Sequence, residues 1–325
     1  MLFVKNPNTN PYRNHALEQW LMENIDDDCF MLWRNQTAIL LGRNQNAYRE
    51  INLNYAKVKD FKIVRRITGG GTVFTDEGNI MFTYISKDIK GGYGNFHKFA
   101  QPVLNALLSL GIPAEYSGRN DLIIEGKKFC GNAQCRYKDK VLHHGTLMYQ
   151  ASTSELAKAL NVSNIKLKSK GVNSVKSRVT NISDYMAEQM NIEEFRMYVY
   201  NHIYKSTPNA REYELTEHQW EQVTEISKKY EDTAWIYGRN PDYNTCNEIK
   251  LPGGLVETYL DVHEGIIRQA CIMGDFFSER NLKEIENALI GTFYNENEIV
   301  NVLSNYSIGD YLYNISEKEL IRALI

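Results

Sequence analysis

Apolar residues recur at helical spacing in the first long segment of the chain and again in several later ones. Apolar positions at 16, 17, 20, 21 and 25 predict an amphipathic helix over residues 11–25. A similar stripe predicts a helix over residues 95–110, which Gly111 and Pro113 would end. Residues 152–160 and much of 190–230 carry the same period and also predict helices.

Runs rich in β-branched and aromatic residues predict strands between these helices. Residues 30–33 and 37–41 flank a polar triplet and predict a hairpin. Residues 61–67, 72–75 and 80–85 each predict a strand. A glycine bend separates the first two strands, and a turn separates the last two. Residues 121–124, 128–137 and 141–149 predict an antiparallel meander.

A break in the pattern near residue 240 divides the chain. Residues 238–244 are dense in turn formers, and a fresh unit follows with runs at 255–262 and 266–272 and helices up to residue 325. We expect two domains, residues 1–245 and residues 246–325. Strands and helices are segregated in the sequence and do not alternate regularly, which predicts an α+β class.

Composition and charge narrow the class of protein. The chain has 43% hydrophobic and 24% charged residues, as globular proteins do. Its 37 basic and 40 acidic residues give a net charge of −3, which disfavours nucleic acid as a partner. No apolar run is long enough for a membrane span, and the N-terminal residues lack a signal-peptide pattern. Five cysteines without a CxxC pair indicate reduced thiols, so we expect a cytoplasmic protein without a structural zinc site.

The triple glycine at 69–71 is the first feature with chemical content. It follows Arg65 and Arg66, so bare backbone N–H groups and guanidinium groups would lie together and could bind carboxylate or phosphate oxygens. It is neither a dinucleotide fingerprint, because Phe74 occupies the third glycine position, nor a Walker loop. A glycine bulge that redirects a strand explains the triplet about equally well.

Lys128 is the second such feature. It follows a tight turn and precedes Gly131-Asn132, a position from which one cation could stabilise a developing anion, although most such turns are solvated hairpin tips. The pair His143-His144 invites a metal interpretation, but successive strand residues face opposite ways and no neighbouring Cys or His completes a site. A structural or substrate-orienting histidine is the better interpretation.

In combination, these segments resemble the lipoate–protein ligase family, specifically the lipoate–protein ligase A type with a C-terminal accessory domain. The resemblance continues past residue 235 and so spans nearly the whole chain. The ordered set is more specific than any single motif. The matching stretches are residues 41–46, 65–74, 76–79, 118–121, 128–134, 144–147, 169–172, 174–179, 181–182 and 235–238.

The resemblance implies a fold, a reaction and partners. The fold would be a catalytic domain of the biotin/lipoate ligase type, with mixed β-sheets and flanking helices, plus a small α+β accessory domain. The reaction would convert lipoate and Mg-ATP to lipoyl-adenylate and pyrophosphate. A specific lysine of a carrier would then take the lipoyl group and release AMP. The carriers would be lipoyl domains of 2-oxoacid dehydrogenases or the glycine-cleavage H protein, and the enzyme would be a monomer.

The resemblance also assigns roles to residues. Lys128 would contact the lipoyl carbonyl and the α-phosphate and would be the catalytic residue. Arg66 with Gly71, Thr72, Val73 and Phe74 would bind nucleotide and acyl-adenylate, Arg65 would support them, and Asp121 would help to hold magnesium or its loop. The metal ligands are otherwise unassigned. By strand position, the candidates for an apolar slot around the dithiolane are Trp33, Leu41, Val73 and Phe82.

One departure from the family pattern keeps a rival reaction open, and a departure from the rival family's pattern counts against that reaction. Cys130 stands where the family commonly has serine, and on a regular strand it would share the face of Lys128, which could lower its pKa. Related octanoyl- or lipoyl-transferases form a thioester on cysteine without ATP, but their nucleophile falls at the segment occupied here by residues 117–119, which lacks cysteine.

A separate basic run, residues 165–179, could dock an acidic carrier or be a solvated loop face.

Overall fold

An eight-stranded mixed sheet forms the centre of the protein. The computed structural model describes residues 1–87, 91–161, 178–238 and 241–325. The strand order is β11-β1-β2-β6-β10-β9-β8-β7. The meander predicted from 121–149 is confirmed, because β8, β9 and β10 are antiparallel neighbours. The strands are β1 (Leu2–Val4), β2 (Cys29–Trp33), β6 (Asn79–Lys87), β7 (Ala114–Ser117), β8 (Asp121–Ile124), β9 (Lys127–Tyr137), β10 (Lys140–Met148) and β11 (Arg211–Tyr213).

A small second sheet lies beside the first and corrects one prediction. It consists of β3 (Ala38–Leu41), β4 (Lys62–Arg65) and β5 (Val73–Thr75) in the order β4-β3-β5. The predicted hairpin of 30–33 with 37–41 is wrong, because β2 pairs with β1 and β6 whereas β3 pairs with β4 and β5. Both strands are buried along their whole length, so hydrophobicity alone could not assign them to different sheets.

Helices cover both faces of the main sheet. The first helix, Pro11–Asn24, begins after Asn10, whose side chain caps it. This helix packs on the later helix Glu217–Glu231. The region 190–230 is two capped helices with the short strand β11 between them, which periodicity did not reveal. The helices of this part of the chain are α1 (Pro11–Asn24), α2 (Ala47–Glu50), α3 (Leu53–Val58), α4 (Phe96–Ser109), α5 (Thr153–Ala159), α6 (Ile192–Ser206), α7 (Glu217–Glu231) and α8 (Thr233–Tyr237), with a 3₁₀ turn at Ile182–Tyr185.

The C-terminal segment has a sheet and an apolar core of its own. Its three strands are antiparallel in the order β12-β13-β14, and helices pack on one face. It contacts the main body through Asn44, whose backbone carbonyl accepts from Gly274 N at 3.0 Å, and through Arg49, which lies 2.8 Å from Glu257. The elements are β12 (Thr245–Leu251), β13 (Gly254–His263), β14 (Ile266–Gly274), α9 (Lys283–Leu289), α10 (Glu296–Leu303), α11 (Ile308–Tyr311) and α12 (Glu317–Leu324).

The α+β class predicted from the sequence is confirmed by this arrangement of mixed sheets and flanking helices. Within the described ranges, none of the helices combines the length and the apolarity needed to cross a membrane. Residues of both sheets of the main body line one pocket.

Candidate functional site

A slot lies between the main sheet and the small sheet. Strands β2, β6, β10 and β9 provide its floor, β3 and β5 with the glycine loop provide its opposite wall, and α1 closes one end. Because the strands of a sheet lie about 4.8 Å apart, the floor from β2 to β9 spans roughly 14 Å. The lining residues are His15, Trp33, Leu40, Arg66, Gly70, Gly71, Thr72, Val73, Met81, Asn120, Lys128, Gly131, Asn132, Ala133, His144, Gly145 and Thr146.

Arg66 holds the glycine loop in place. Its guanidinium donates to the carbonyls of Leu40, Gly69 and Gly71 at 2.7–2.9 Å. Gly70 has φ +89°, a left-handed conformation that favours glycine. Burial lowers the pKa of Arg66 to about 10, which leaves it charged at neutral pH. The loop therefore presents backbone groups and one fixed cation to the slot.

Arg65 points the other way and is structural. It is buried and donates to the carbonyls of Gly42, Arg43 and Gln45 on one loop and of Trp235 and Ile236 at the end of α8. These bonds join the 42–46 loop to the helix that precedes the C-terminal segment. Arg65 therefore contacts the backbone of these two segments, at a distance from the slot.

Lys128 lies at the β9 end of the slot. Its Nζ is 2.7 Å from Asp121 Oδ1, and the side chain extends over Gly131, where an added Cβ would lie 2.7 Å from Nζ. The backbone of Lys128 is fixed from the other side, because its N–H donates to Arg178 O at 2.8 Å and its carbonyl accepts from Thr180 at 3.0 Å. Lys128 is thus a partly exposed cation on a fixed backbone, with a glycine that leaves room for its side chain.

Cys130 does not share the face of Lys128. In the pairing of β8 with β9, Leu122 lies opposite Cys130, but the next residue, Ile123, lies opposite Lys128. Strand β9 therefore contains one extra residue at this point, Phe129. This β-bulge breaks the regular alternation, and Phe129 and Cys130 are both buried in the core beneath the sheet. Burial raises the pKa of Cys130 to about 12, an effect that the nearby Lys128 reduces only in part. The expectation from the sequence that the pKa of Cys130 lies below its usual value is therefore wrong.

Replacing Cys130 by serine should leave activity within about threefold of the wild-type rate, because a buried thiol of high pKa is a poor nucleophile. The measurement is product formation by the purified variant under identical conditions. Cys246, which is exposed, is the matched control: alkylating it in the native protein should also leave the rate unchanged. Loss of activity in the Cys130→Ser variant with retained folding would restore the thioester mechanism.

A buried polar network closes the opposite end of the slot. Glu18 on α1 accepts from His15 Nδ1 at 2.7 Å, from His144 Nδ1 at 2.8 Å and from Thr83 at 2.7 Å. Burial alone would raise the pKa of Glu18, but the two imidazoles beside it bring the pKa well below its usual value. Trp33 donates to Thr83 at 2.8 Å, so the indole that lines the slot belongs to the same network.

The network extends to the glycine loop. Thr68 Oγ1 lies 2.9 Å from His144 Nε2 and accepts from Arg66 Nε at 2.9 Å. His144 therefore links Glu18 to the loop that carries Arg66. Sequence reasoning missed His15 and Glu18. Their positions in the sequence could have indicated them, because they lie three residues apart among the apolar residues of the first helix. A buried polar side chain there needs a hydrogen-bond partner or has a function.

Within the part of the chain that the structure describes, His15, Glu18 and His144 also form a cluster of potential metal ligands, with ligand atoms within 4.8 Å of one another. The partners of His144 come from a distant helix, so the sequence could not supply them. Hydrogen bonds already occupy the Nδ1 atoms of both imidazoles and both carboxylate oxygens. This arrangement accounts for the cluster without an ion.

The structure brings together most of the predicted site residues. Arg66, Gly71, Thr72, Val73 and Lys128 line the slot, and Asp121 contacts it through Lys128. The side chain of Phe74 lies elsewhere, packed against Phe61 at 5.3 Å between ring centroids, so only its backbone faces the loop region. The carboxamides of Asn120 and Asn132 join the Lys128 end and bond to each other's backbone at 2.6 and 2.9 Å.

Two of the four residues that the sequence offers for an apolar slot line the slot described here. Trp33 and Val73 line it, but Leu41 and Phe82 point into the cores on the far sides of their sheets. Their strand neighbours Leu40 and Met81 take their places, because successive residues of a strand face opposite ways. Most of the basic stretch 165–179 and the motif 169–172 lie outside the described residues.

The C-terminal segment covers the glycine loop. An added Cβ on Gly69 would lie 2.5 Å from the carbonyl of Phe276, so only glycine permits this approach. The guanidinium of Arg119 stands 4.7 Å from the ring centroid of Phe277 and donates to the carbonyl of Gly253. The loop next to the slot is therefore held from both the main body and the C-terminal segment.

Acidification should destabilise the protein, because burial lowers the pKa of both His15 and His143 below 6.5. The folded state then binds fewer protons than the unfolded state below pH 6.5, so stability falls as pH falls. We expect the free energy of unfolding, measured by chemical denaturation, to drop between pH 7 and pH 5 by up to about 1.4 kcal/mol per pH unit for each group. The His143→Asn variant should show a smaller dependence, and equal stability at both pH values would contradict the expectation.

Comparisons with known proteins show which family the chain resembles. The family model for the lipoyl protein ligase A/B catalytic domain matches residues 10–204, and the model for the bacterial lipoate protein ligase C-terminus matches residues 240–324. The chain is 39% identical over 327 residues to the lipoate-protein ligase LplJ of Bacillus subtilis, covering 99% of both chains.

Solved structures show the same fold. P. falciparum LipL1 in complex with lipoate superposes with a TM-score of 0.81 at 24% identity, covering 99% of this chain and 97% of that one. A lipoate-protein ligase A bound with ATP superposes with a TM-score of 0.60 at 24% identity, covering 73% and 97%. With two family models that follow each other along the sequence and a full-length relative of this identity, the chain belongs to the lipoate–protein ligase family.

Proposed function

We propose that this chain activates lipoate with ATP to lipoyl-adenylate and then transfers the lipoyl group to a lysine of a carrier protein. The observation that carries the proposal is the slot between the two sheets. It has a lysine at one end, an apolar middle and a floor of roughly 14 Å, a length that suits an extended eight-carbon acid whose carboxylate lies at Lys128. Membership of the family supports the same reaction class.

Lys128 and Arg66 have separate tasks in this reaction. Lys128 lies at the mouth of the slot, where its Nζ can contact both the acid carboxylate and the α-phosphate, and it stabilises the charge that develops between them. Arg66 fixes the loop of Gly71 and Thr72, whose backbone N–H groups bind phosphate or adenylate oxygens. The two anions are thereby brought together in one orientation.

Magnesium is part of the proposal through the nucleotide. Mg²⁺ prefers oxygen ligands and keeps several waters, so one carboxylate beside the phosphates is enough to hold it. Asp121, partly exposed and 2.7 Å from Lys128, offers such a carboxylate at the right end of the slot. The ion would neutralise phosphate charge, and Asp121 would orient Lys128 whether or not it also binds the ion.

The two domains have different roles in the proposed reaction. Residues 1–245 bind lipoate and ATP, and residues 246–325 form the accessory unit that covers the glycine loop. The carrier is a lipoyl domain of a 2-oxoacid dehydrogenase or the glycine-cleavage H protein, and the enzyme acts as a monomer. The slot beneath the glycine loop would keep the carbonyl activated in the first step away from water until the carrier lysine attacks.

The test is intact mass of an apo lipoyl domain and of an apo H protein after incubation with this protein, lipoate, Mg²⁺ and ATP, with AMP and pyrophosphate assayed in parallel. Addition of one lipoyl group with release of AMP supports the proposal and identifies the carrier. Pyrophosphate release without carrier modification would contradict the carriers named here but not the activation step. Failure of both would refute the ligase, and octanoyl-acyl-carrier donors without ATP would then test a transferase.

A further inference from the structure

The closed end of the slot contains polar side chains within an apolar wall, although the acid tail that the proposed function would place there is apolar. His15 lines this end and is 2% exposed, with its ring centroid 5.4 Å from that of Trp33. Its Nε2 is buried and has no hydrogen-bond partner among the described residues. A buried polar atom without a partner is uncommon in folded proteins, and at the wall of a ligand slot it indicates a group that the ligand meets.

Hydrogen-bond direction fixes what His15 can offer. The carboxylate of Glu18 accepts from three donors and has no proton of its own to give, so Nδ1 of His15 carries the hydrogen in the 2.7 Å contact. In the neutral imidazole, Nε2 is then a bare lone pair. The only polar atom that His15 can present to the slot is therefore an acceptor.

An acceptor at this position discriminates among tails. The methyl end of octanoate and the disulfide of the oxidised dithiolane carry no hydrogen-bond donor, so either one would displace water and leave Nε2 unsatisfied. The reduced dithiol, dihydrolipoate, carries S–H groups at that end and can donate to Nε2. A site that binds a donor rejects the analogue without one more strongly than it rejects a change of size.

We propose that His15 is a specificity-determining residue whose Nε2 accepts a hydrogen bond from a thiol of dihydrolipoate, so that this chain activates the dithiol in preference to the disulfide. The inference deepens the proposed function and depends on it. Trp33 and Met81 surround the same end with an apolar wall, which makes His15 and His144 the polar side chains that a tail meets there. Both nitrogens of His144 are already engaged, which leaves His15.

The test is a comparison of kcat/KM for pyrophosphate release with three acids: dihydrolipoate under anaerobic reductant, lipoate without reductant, and octanoate with and without reductant. We expect the wild-type protein to favour dihydrolipoate over lipoate by about tenfold, and the His15→Leu variant to bring that ratio close to one. The ratio is taken within one variant, so partial loss of folded protein cancels. The octanoate pair corrects for any effect of the reductant itself.

A second variant and a matched control keep the inference falsifiable. His15→Asn places an N–H donor where Nδ1 bonds to Glu18 and is too short to reach the position of Nε2, so its ratio should fall in the same way. Met81→Leu alters the same wall without touching an acceptor and should change kcat/KM for all three acids together. Equal ratios in the wild-type protein and both His15 variants would overturn the role of His15. Absence of pyrophosphate with every acid would instead refute the activation reaction, and the inference with it.

Discussion

Replacing Lys128 by alanine lowers the rate of adenylate formation by about 10²–10³, the range for removing one pre-placed donor to a developing negative charge. The structure explains the size of this expected effect. Nζ lies at the mouth of the slot on a backbone fixed by Arg178 and Thr180, and it is oriented by Asp121 at 2.7 Å. The measurement is single-turnover formation of adenylate at saturating lipoate and ATP, so that the chemical step is observed.

The neighbouring lysine is the matched control for this prediction. Lys127 is on the same strand and is exposed, outside the slot lining, so Lys127→Ala should leave the rate unchanged. Lys128→Arg keeps the charge but changes its shape and should recover only part of the lost rate. Turnover of Lys128→Ala near the wild-type value would remove the central role proposed for this side chain.

Replacing Glu18 by alanine lowers the free energy of unfolding by about 3–5 kcal/mol, because several buried donors lose their acceptor and each unmade hydrogen bond costs about 1–3 kcal/mol. The variant leaves the N–H groups of His15 and His144 and the hydroxyl of Thr83 without their acceptor inside the protein. Denaturant unfolding monitored by tryptophan fluorescence measures the change. Activity should also fall, because His144 connects Glu18 to the loop held by Arg66.

A carboxylate on the exposed side of the same helix tests whether the effect belongs to the network. Glu23 is exposed and bonds only to the side chain of Gln19 among the described residues, so Glu23→Ala should change stability by no more than about 0.5 kcal/mol. Glu18→Gln should lie between these values, because an amide can accept one of the hydrogen bonds but carries no charge. Equal losses for Glu18→Ala and Glu23→Ala would mean that the network does not stabilise the fold.

The pairing of strands shows where sequence reasoning stops. Hydrophobic runs located β2 and β3 within a residue or two, and a polar triplet between them suggested a hairpin. In the structure they join different sheets, because β2 is completed by β1 and β6 and β3 by β4 and β5. Partners so distant along the chain leave no local signal, and two fully buried strands carry no alternation that would assign a face.

Sequence reasoning is also limited in predicting which side of a strand a given residue faces. Of the four residues that strand position predicts for the slot, Trp33 and Val73 line it, whereas the other two face away and their neighbours line it. Cys130 would face the same way as Lys128 on a regular strand, and the bulge opposite Leu122 and Ile123 removes it to the core. An error of one residue in register reverses the face, and a bulge is a tertiary adjustment that the sequence of one strand does not encode.

The sequence by itself determined the α+β class, the order of most helices and strands and, through the ordered set of motifs, the resemblance to the lipoate–protein ligase family. These properties depend on local periodicity, on turn residues and on short segments of fixed spacing. Only the tertiary structure decided that His15 and Glu18 meet His144, 126 residues after Glu18, and that a bulge buries Cys130. Such contacts depend on how helix α1 packs over strands from distant parts of the chain, and packing is a property of the whole fold rather than of any segment.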